Sequence, residues 1–289
     1  MTAAGADDAT VAITHLGPDG VVPKELHDLL TPATLSLAGA NIVMQLAQLP
    51  VGRAVAESKV DAGNLYKYPL KRARTTFGYV MIAMFGTDAE REALGSAVTE
   101  VHGHVRSGTG DPVRYTALDP RLQLWVAACI YRGLEHGYSL LYGAPPPEML
   151  DLAYRHGARL ATMLQVPPEM WPVDREAFEA YWSDAVAAIE MDDVTRAYLY
   201  DFAGLGFLPW PIPLLFGWFH RAITAGFLEE PFREELGLPW GRGEQRAFAV
   251  NHVLLRTVNS LTPRRIRTLP FDLYLWDMRR RIRDGRRLV

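Results

Sequence analysis

The sequence predicts an all-α protein built as a single compact domain of many helices. Apolar residues recur at spacings of three and four along most of the chain, as in helices that bury one face. Proline and glycine interrupt this pattern at intervals typical of the connections between helices. The composition is globular, with 49% hydrophobic and 22% charged residues. A chain of 289 residues allows one large domain or two, and we expect one.

The first 22 residues differ from the rest because they are mostly small, polar and rich in glycine. We expect residues 1–22 to form a flexible arm and residues 23–289 to form the helical domain. The arm has no run typical of a targeting sequence, and the single cysteine, Cys129, cannot form an internal disulfide. The cytoplasm is therefore the predicted location. A net charge of −3 gives no reason to expect nucleic acid as a partner.

Residues 32–49 predict a long apolar helix near the start of the domain. Its limited length and its amide side chains argue against a membrane span and favour a buried central helix. These amides are Asn41, Gln45 and Gln48. Pro50 then fits the first turn of a short helix that carries Arg53 and Glu57.

Residues 69–102 predict two consecutive helices with a sharp boundary between them. Gly86 can end the first helix, and Thr87 with Glu90 forms the T-x-x-E pattern of a capping box at the start of the second. In the first helix the side chains of Arg72, Thr75, Thr76 and Tyr79 share one face, because they are spaced i, i+3, i+4 and i+7. A polar stripe of this kind suggests the lining of a pocket.

The second helix carries a histidine on its apolar face. His102 follows Leu94 and Val98 at helical spacing, whereas His104 points away. A lone histidine on an apolar stripe is more often a hydrogen-bonded core residue than a metal ligand.

A cluster of cations lies at the start of the first of these helices. Among Lys67, Lys71, Arg72 and Arg74, we expect only Arg72 to have a functional role, because it shares a face with Thr76. The other three are expected to be solvated.

Most of the remaining chain predicts further helices. They cover residues 120–141, 148–165, 175–189, 213–227 and 243–259, and another begins at 192–195. Asp119 and Pro120 form an N-cap followed by proline at the first helical position. His220 and His252 lie in later helices, and we expect both to be hydrogen-bonded structural residues.

Two later segments are unusual in composition. Residues 202–219 are almost wholly apolar but interrupted by proline and glycine, and we expect a substrate channel or an irregular core connection ahead of membrane contact. Residues 264–287 hold nine arginines and three aspartates. This segment could bind anionic lipid or an acidic partner, but a solvated or interdomain helix is the preferred interpretation.

Several short motifs follow one another between about residues 32 and 172. They are Q-x-x-Q-L-P at 45–50, R-x-x-x-T at 72–76, F-G-T-x-x-E-R at 85–91, V-H-x-x-V at 101–105, Y-x-A-x-D-P at 115–120, L-W-V at 124–126 and L-Q-V-P-P-x-x-W-P at 164–172. In this order they resemble the MpaB-like and rubber oxygenase (latex clearing protein) superfamily.

The resemblance implies a helical domain that encloses a haem b pocket. It assigns the proximal iron ligand to His102 and places Arg72 and Thr76 beside the haem. Arg72, Thr75 and Thr76 become the candidate catalytic groups, which would set the polarity of the distal side or hold the propionates.

Three positions depart from the family pattern. Rubber oxygenases carry a lysine that can cap the iron where this chain has Thr75, and many relatives carry a histidine where this chain has Ala127. Neither form of iron ligation is therefore expected. Glu57 is the nearest candidate for the glutamate proposed as the base in rubber cleavage.

The expected function is haem b-dependent oxidation, of oxygenase or peroxygenase type, of a small hydrophobic molecule with dioxygen or peroxide. A polymer such as rubber is a less suitable substrate, because the lysine and a secure base are missing. Two alternatives stay open. The protein could bind haem or an apolar ligand without catalysis, or it could use haem in a non-oxidative reaction.

Overall fold

Every regular element in the described part of the chain, residues 30–57 and 65–289 of a computed structural model, is a helix. A 3-10 helix, Thr34–Leu37, is followed by α1 (Ala38–Leu46), α2 (Leu49–Ala56), α3 (Pro69–Phe85), α4 (Asp88–His102), α5 (Pro120–Tyr142), α6 (Pro147–Thr162), the 3-10 helix Pro168–Met170, α7 (Arg175–Ala187), α8 (Asp193–Ala203), α9 (Ile212–Phe227), α10 (Glu230–Leu236), α11 (Arg242–Leu261) and α12 (Arg264–Arg283). The all-α prediction is confirmed. The expected arm at residues 1–22 lies outside the described residues.

The boundary between α3 and α4 agrees with its sequence signals. The Thr87 hydroxyl accepts a hydrogen bond from the Glu90 amide at 3.2 Å, and the Glu90 carboxylate accepts one from the Thr87 amide at 2.8 Å. This reciprocal cap satisfies two backbone donors that a helix start leaves unpaired. It fixes the point where the chain turns, and so it fixes which faces of α3 and α4 meet.

A long helix was expected at residues 32–49, and its predicted end is wrong. The chain leaves helical geometry at Gln48, whose φ and ψ are −84° and 123°, and α2 begins at Leu49. The extended geometry lets Pro50 occupy the first turn of α2, where its missing N–H is not needed. α1 is largely buried, as expected of a central helix.

Among the described residues, no single helix combines the length and apolar character of a membrane span. The stretches Thr34–Leu46 and Leu49–Ala56 meet these criteria only when taken together, and they are bent by 112° at the break between them.

An aromatic cluster forms much of the core on one side of α5. Trp125 is fully buried and stacks on Trp182 at 5.3 Å between ring centroids, and Phe232 lies beside both rings. The Trp125 indole donates to the Gln45 carbonyl at 3.0 Å, which ties α5 to α1. Aromatic pairs of this kind contribute about 0.5–1.5 kcal/mol beyond the area they bury. α5 is therefore fixed firmly at the back of the region described below.

The arginine-rich helix α12 packs into the domain. Phe271 meets the ring of Phe77 edge to face at 5.3 Å, and Met278 lies over Gly78 so closely that an added Cβ would come within 2.5 Å of its terminal methyl. The preference for a solvated or interdomain helix is therefore wrong for this face. Phe271 and Met278 are both buried, so the helix has an apolar packing face that the number of its arginines did not reveal.

The apolar segment at residues 202–219 is not a uniform core connection. Phe202 is buried at the end of α8, but Trp210 and the first two turns of α9 are exposed. These residues do not line the large cavity described below. A channel or a core connection was predicted for this segment, and the structure instead exposes its second half, from Pro209 to Phe219, apart from Pro213 and Gly217.

Candidate functional site

A cavity of about 250 Å³ lies between α3 and α4 and is closed from behind by α5. Its walls are mostly apolar, with a few polar side chains grouped on the α3–α4 side. Many of the lining side chains belong to the motifs and faces singled out in the sequence, among them Gln45, Pro50, Arg72, Thr75, Thr76, Tyr79, Val98, Val101, His102, Val105 and Tyr115. An apolar cavity with few convergent polar groups is the usual form of a small-molecule site.

His102 is the last residue of α4 and faces this cavity. Burial, and secondarily the positive charge of Arg72, lower the pKa of His102 to about 4. The imidazole is therefore neutral near pH 7. Its Nδ1 atom is buried and has no hydrogen-bond partner among the described residues. His104, two residues on, is exposed as predicted, but it lies in the turn that follows α4 and not in the helix.

Arg72 lies on α3 and also faces the cavity. Much of its surface is accessible through the cavity, yet the surrounding protein withdraws it from bulk water and lowers its pKa. No carboxylate of the described residues pairs with its guanidinium, and Tyr198 is the one group there that favours its charge. A sheltered cation without a counterion is suited to bind an anionic group of a ligand.

The other polar residues of the α3 stripe are differently engaged. The Thr75 hydroxyl donates to the Arg72 carbonyl at 3.0 Å, which holds it against its own helix. The Tyr79 hydroxyl donates to the Leu160 carbonyl at 2.6 Å and ties α3 to α6. Burial raises the pKa of Tyr79, so it stays protonated in this bond. Thr76 lines the cavity between these two residues.

The opposite wall comes from the loop after α4. The Ala117 amide donates to the Val105 carbonyl at 2.9 Å, so the loop folds back on the end of α4. Gln123 of α5 supports it by donating to the Ala117 carbonyl at 2.7 Å and to the Gln165 side chain at 3.1 Å. The loop thereby places Tyr115 and Thr116 in the wall of the cavity that His102 also lines.

Sequence reasoning missed Arg287 and Val289, which line the cavity from the far end of the chain. The Arg287 guanidinium donates to a main-chain oxygen of Val289 at 2.7 Å. Lys71 lies close enough that Arg287 and Arg74, after burial, lower its pKa. The cations near the cavity are thus more numerous than the one predicted. No local pattern could have revealed this, because the contact joins distant parts of the sequence.

Other candidate residues lie away from the cavity. Glu57 forms an ion pair with Arg53, which also binds Asp192, and it does not line the cavity. His220 hydrogen-bonds the Ala203 carbonyl at 2.8 Å, and His252 hydrogen-bonds the Leu140 carbonyl at 3.1 Å. The predicted structural role of these two histidines agrees with those contacts.

No group of three or more histidine, cysteine, aspartate or glutamate side chains comes together among the described residues in a way that could hold a bare metal ion. Among the described residues that line the cavity, His102 is the one histidine, and no cysteine, aspartate or glutamate accompanies it. A single protein ligand suffices when a macrocycle supplies the other donor atoms.

Comparison with known proteins supports the family resemblance that the order of the motifs indicated. Residues 27–258 match the family model described as the catalytic domain of the ER-bound oxygenase mpaB/B′ and rubber oxygenase. Two similar proteins are the uncharacterized protein Rv2237 of Mycobacterium tuberculosis and the uncharacterized protein Mb2261 of Mycobacterium bovis. Each is 45% identical over 253 residues, which cover 88% of this chain and 99% of the relative. No solved structure gives a significant match. The matched segment contains α1 to α10, most of α11 and nearly all of the cavity wall, and the chain belongs to the mpaB and rubber oxygenase catalytic-domain family.

Proposed function

We propose that this protein binds haem b through His102 and oxidises a small hydrophobic molecule with dioxygen or peroxide. The observation that carries the proposal is the neutral imidazole of His102 in an apolar cavity beside the unpaired cation Arg72. The family is that of an oxygenase catalytic domain, whereas the cofactor and the substrate are our inference.

The residues present fit haem chemically. Iron takes a neutral imidazole, and the low pKa of His102 keeps the ring neutral well below pH 7. No described residue forms a hydrogen bond with the buried Nδ1 atom, so no contact of that atom commits the ring to a structural role. Arg72 could bind a propionate, because no described carboxylate neutralises it. The valine, leucine and isoleucine walls suit a flat apolar macrocycle.

Haem, when bound, supplies the oxidative chemistry. The protein's own residues hold and orient the haem and the substrate and shelter them from water. Val98, Val101 and Val126 exclude water from the cavity and favour an apolar substrate. Thr76 offers a hydroxyl at the wall, while the Thr75 hydroxyl donates its proton to the Arg72 main-chain carbonyl and is less free to donate to a ligand.

One observation favours the non-catalytic alternative. No aspartate or glutamate side chain lines the cavity within the described ranges, so no carboxylate base is evident there. The same observation is compatible with a haem enzyme that takes no proton from its substrate. Oxygen or peroxide consumption with small apolar test compounds distinguishes an enzyme from a carrier of haem or an apolar ligand.

The test of haem binding is an absorption spectrum of the purified protein, with and without dithionite, for the wild type and two variants. We expect a Soret band and about one haem per chain in the wild type. His102→Ala removes the axial imidazole and should lower haem content at least about tenfold. His104→Ala is the matched control, and it should keep the haem because His104 is exposed.

Circular dichroism of each variant shows whether the helices remain. If added imidazole restores haem binding to a folded His102→Ala variant, the ligand assignment is supported directly. Wild-type protein from haem-replete cells without a Soret band would refute the proposal. Haem loss confined to His104→Ala would overturn the assignment of the ligand.

The cytoplasm remains our proposed location, in keeping with a buried and unpaired Cys129.

A further inference from the structure

The first half of α9 exposes several large apolar side chains that do not line the cavity. Leu214 is 71% exposed, Leu215 66% and Trp218 52%, and Trp210 just before the helix is 79% exposed. Single exposed apolar side chains are ordinary on protein surfaces, but a contiguous group of this size usually marks an interaction site.

A second apolar stripe runs along α11. Val250, Val253, Leu254, Val258 and Leu261 are each more than half exposed, and their spacing of three and four puts them on one face of the helix. A helix that presents such a stripe to water has the amphipathic form of one that lies on another apolar surface.

The two stripes belong to helices that pack together. The Trp218 indole donates to the Glu244 carboxylate at 3.2 Å, and Phe227 meets Phe248 edge to face at 4.9 Å between ring centroids. The two helices are therefore neighbours, with the start of α11 next to the exposed turns of α9 and the α11 stripe farther along the same helix. We call these two stripes, with the arginines of α11, the α9–α11 face.

The charge on this face is positive. Arg242, Arg246 and Arg256 of α11 are exposed, and none of them pairs with a carboxylate of the described residues. Glu244 is the single acidic residue of the two helices, and it is engaged by the Trp218 indole and the Gly241 amide. The face thus combines apolar side chains with uncompensated arginines and has no free acid.

This combination decides between the possible partners. A second copy of the chain would set arginine against arginine, with no free carboxylate on the face to offset the repulsion. A membrane that contains anionic phospholipid offers an apolar interior for the leucine, valine and tryptophan side chains and phosphates for the arginines. Tryptophan in particular prefers the boundary between lipid and water.

We propose that the α9–α11 face docks the protein on the surface of an anionic phospholipid membrane. The helices lie on the membrane and do not cross it, since no single described helix has the character of a span. The arginines contribute electrostatic attraction, and the apolar stripes contribute burial. This inference does not depend on haem or on the reaction proposed above, because the face is separate from the cavity.

Flotation with lipid vesicles tests the proposal on the full chain. One set of vesicles is phosphatidylcholine alone, and the other contains about one-third phosphatidylglycerol. We expect binding to the anionic vesicles that weakens as salt is raised, and little binding to the neutral ones. Equal binding to both sets, or binding to neither, would overturn the proposal.

Two pairs of variants separate the contributions. The double change Arg242→Gln and Arg246→Gln should weaken anionic binding about 30-fold, at roughly fivefold per arginine. Its control is Arg121→Gln, an exposed arginine in α5. The double change Val253→Asn and Leu254→Asn should weaken binding at any salt concentration. Its control is Val173→Asn, which is 88% exposed outside the α9–α11 face.

These positions are exposed, so the variants should fold, and circular dichroism verifies that they do. Unchanged binding in both double variants would refute the assignment of the face. Sedimentation of the lipid-free protein examines the competing partner. A dimer that the apolar double variant dissociates would identify a second copy of the chain as the occupant and would overturn membrane docking.

Discussion

His156 should make the protein sensitive to acid through a single buried group. It lies on the buried face of α6 and is 4% exposed. Its Nδ1 atom is 2.8 Å from the Arg159 guanidinium, which can only donate, so Nδ1 must accept that bond as a neutral imidazole. Burial, and then Arg159, Arg155 and Arg91, lower the pKa of His156 to about 4. Protonation would cost both the hydrogen bond and the burial of a charge among cations.

The sign and size of the effect follow from this pKa. The unfolded chain has the ordinary histidine pKa of about 6.5 and binds the proton more readily than the folded chain does. The stability due to neutral His156 is therefore present above about pH 6.5 and is lost as the pH falls toward 4. Between pH 7 and pH 5 the loss from this one group is about 2 kcal/mol of unfolding free energy.

The assay is urea unfolding at pH 7, 6 and 5 for the wild type and His156→Gln. Glutamine is less stable at this site overall but has no proton to bind, so its unfolding free energy should fall about 2 kcal/mol less between pH 7 and pH 5. His104→Gln serves as the control, because His104 stays in water. His102 and other buried histidines add to the total slope, but the comparison isolates His156. Parallel pH profiles for the wild type and His156→Gln would refute the reasoning.

Two further variants test other contacts. Thr87→Ala removes the hydroxyl that caps α4 and should lower the unfolding free energy by about 1 kcal/mol in urea titrations, so an unchanged midpoint would contradict the capping assignment. Arg72→Gln removes the cation beside His102 and should raise the pKa of His102 from about 4, though burial should keep it below the ordinary value. An NMR titration of the His102 ring measures this pKa, and no increase would show that burial alone sets it.

The parts of the structure that sequence predicted best are those fixed by local chemistry. The Thr87–Glu90 cap and the proline starts of α2 and α5 each depend on residues a few positions apart. The shared wall of Arg72 and His102 was also predictable, because it needed only helical spacing in two neighbouring helices.

What sequence could not predict depends on long-range packing. The apolar content of residues 202–219 indicated avoidance of water, but composition alone does not tell whether a core, a channel or another surface provides the shelter. The same holds for Arg287, whose approach to the cavity follows from how α12 crosses α3. The number of arginines in α12 likewise suggested a solvated helix, although Phe271 and Met278 pack inward at helical spacing.

The cavity wall joins residues from both extremes of the described chain, with Gln45 on one side and Arg287 and Val289 on another. During synthesis, α1 to α11 leave the ribosome before these last wall residues exist as folded chain. Only this part of the wall therefore closes late, after the local helices and the aromatic core have had time to assemble. Until it closes, the cavity stays open to its ligand on that side. Ligand capture and the final docking of the chain should consequently be coupled events, with each making the other more favourable.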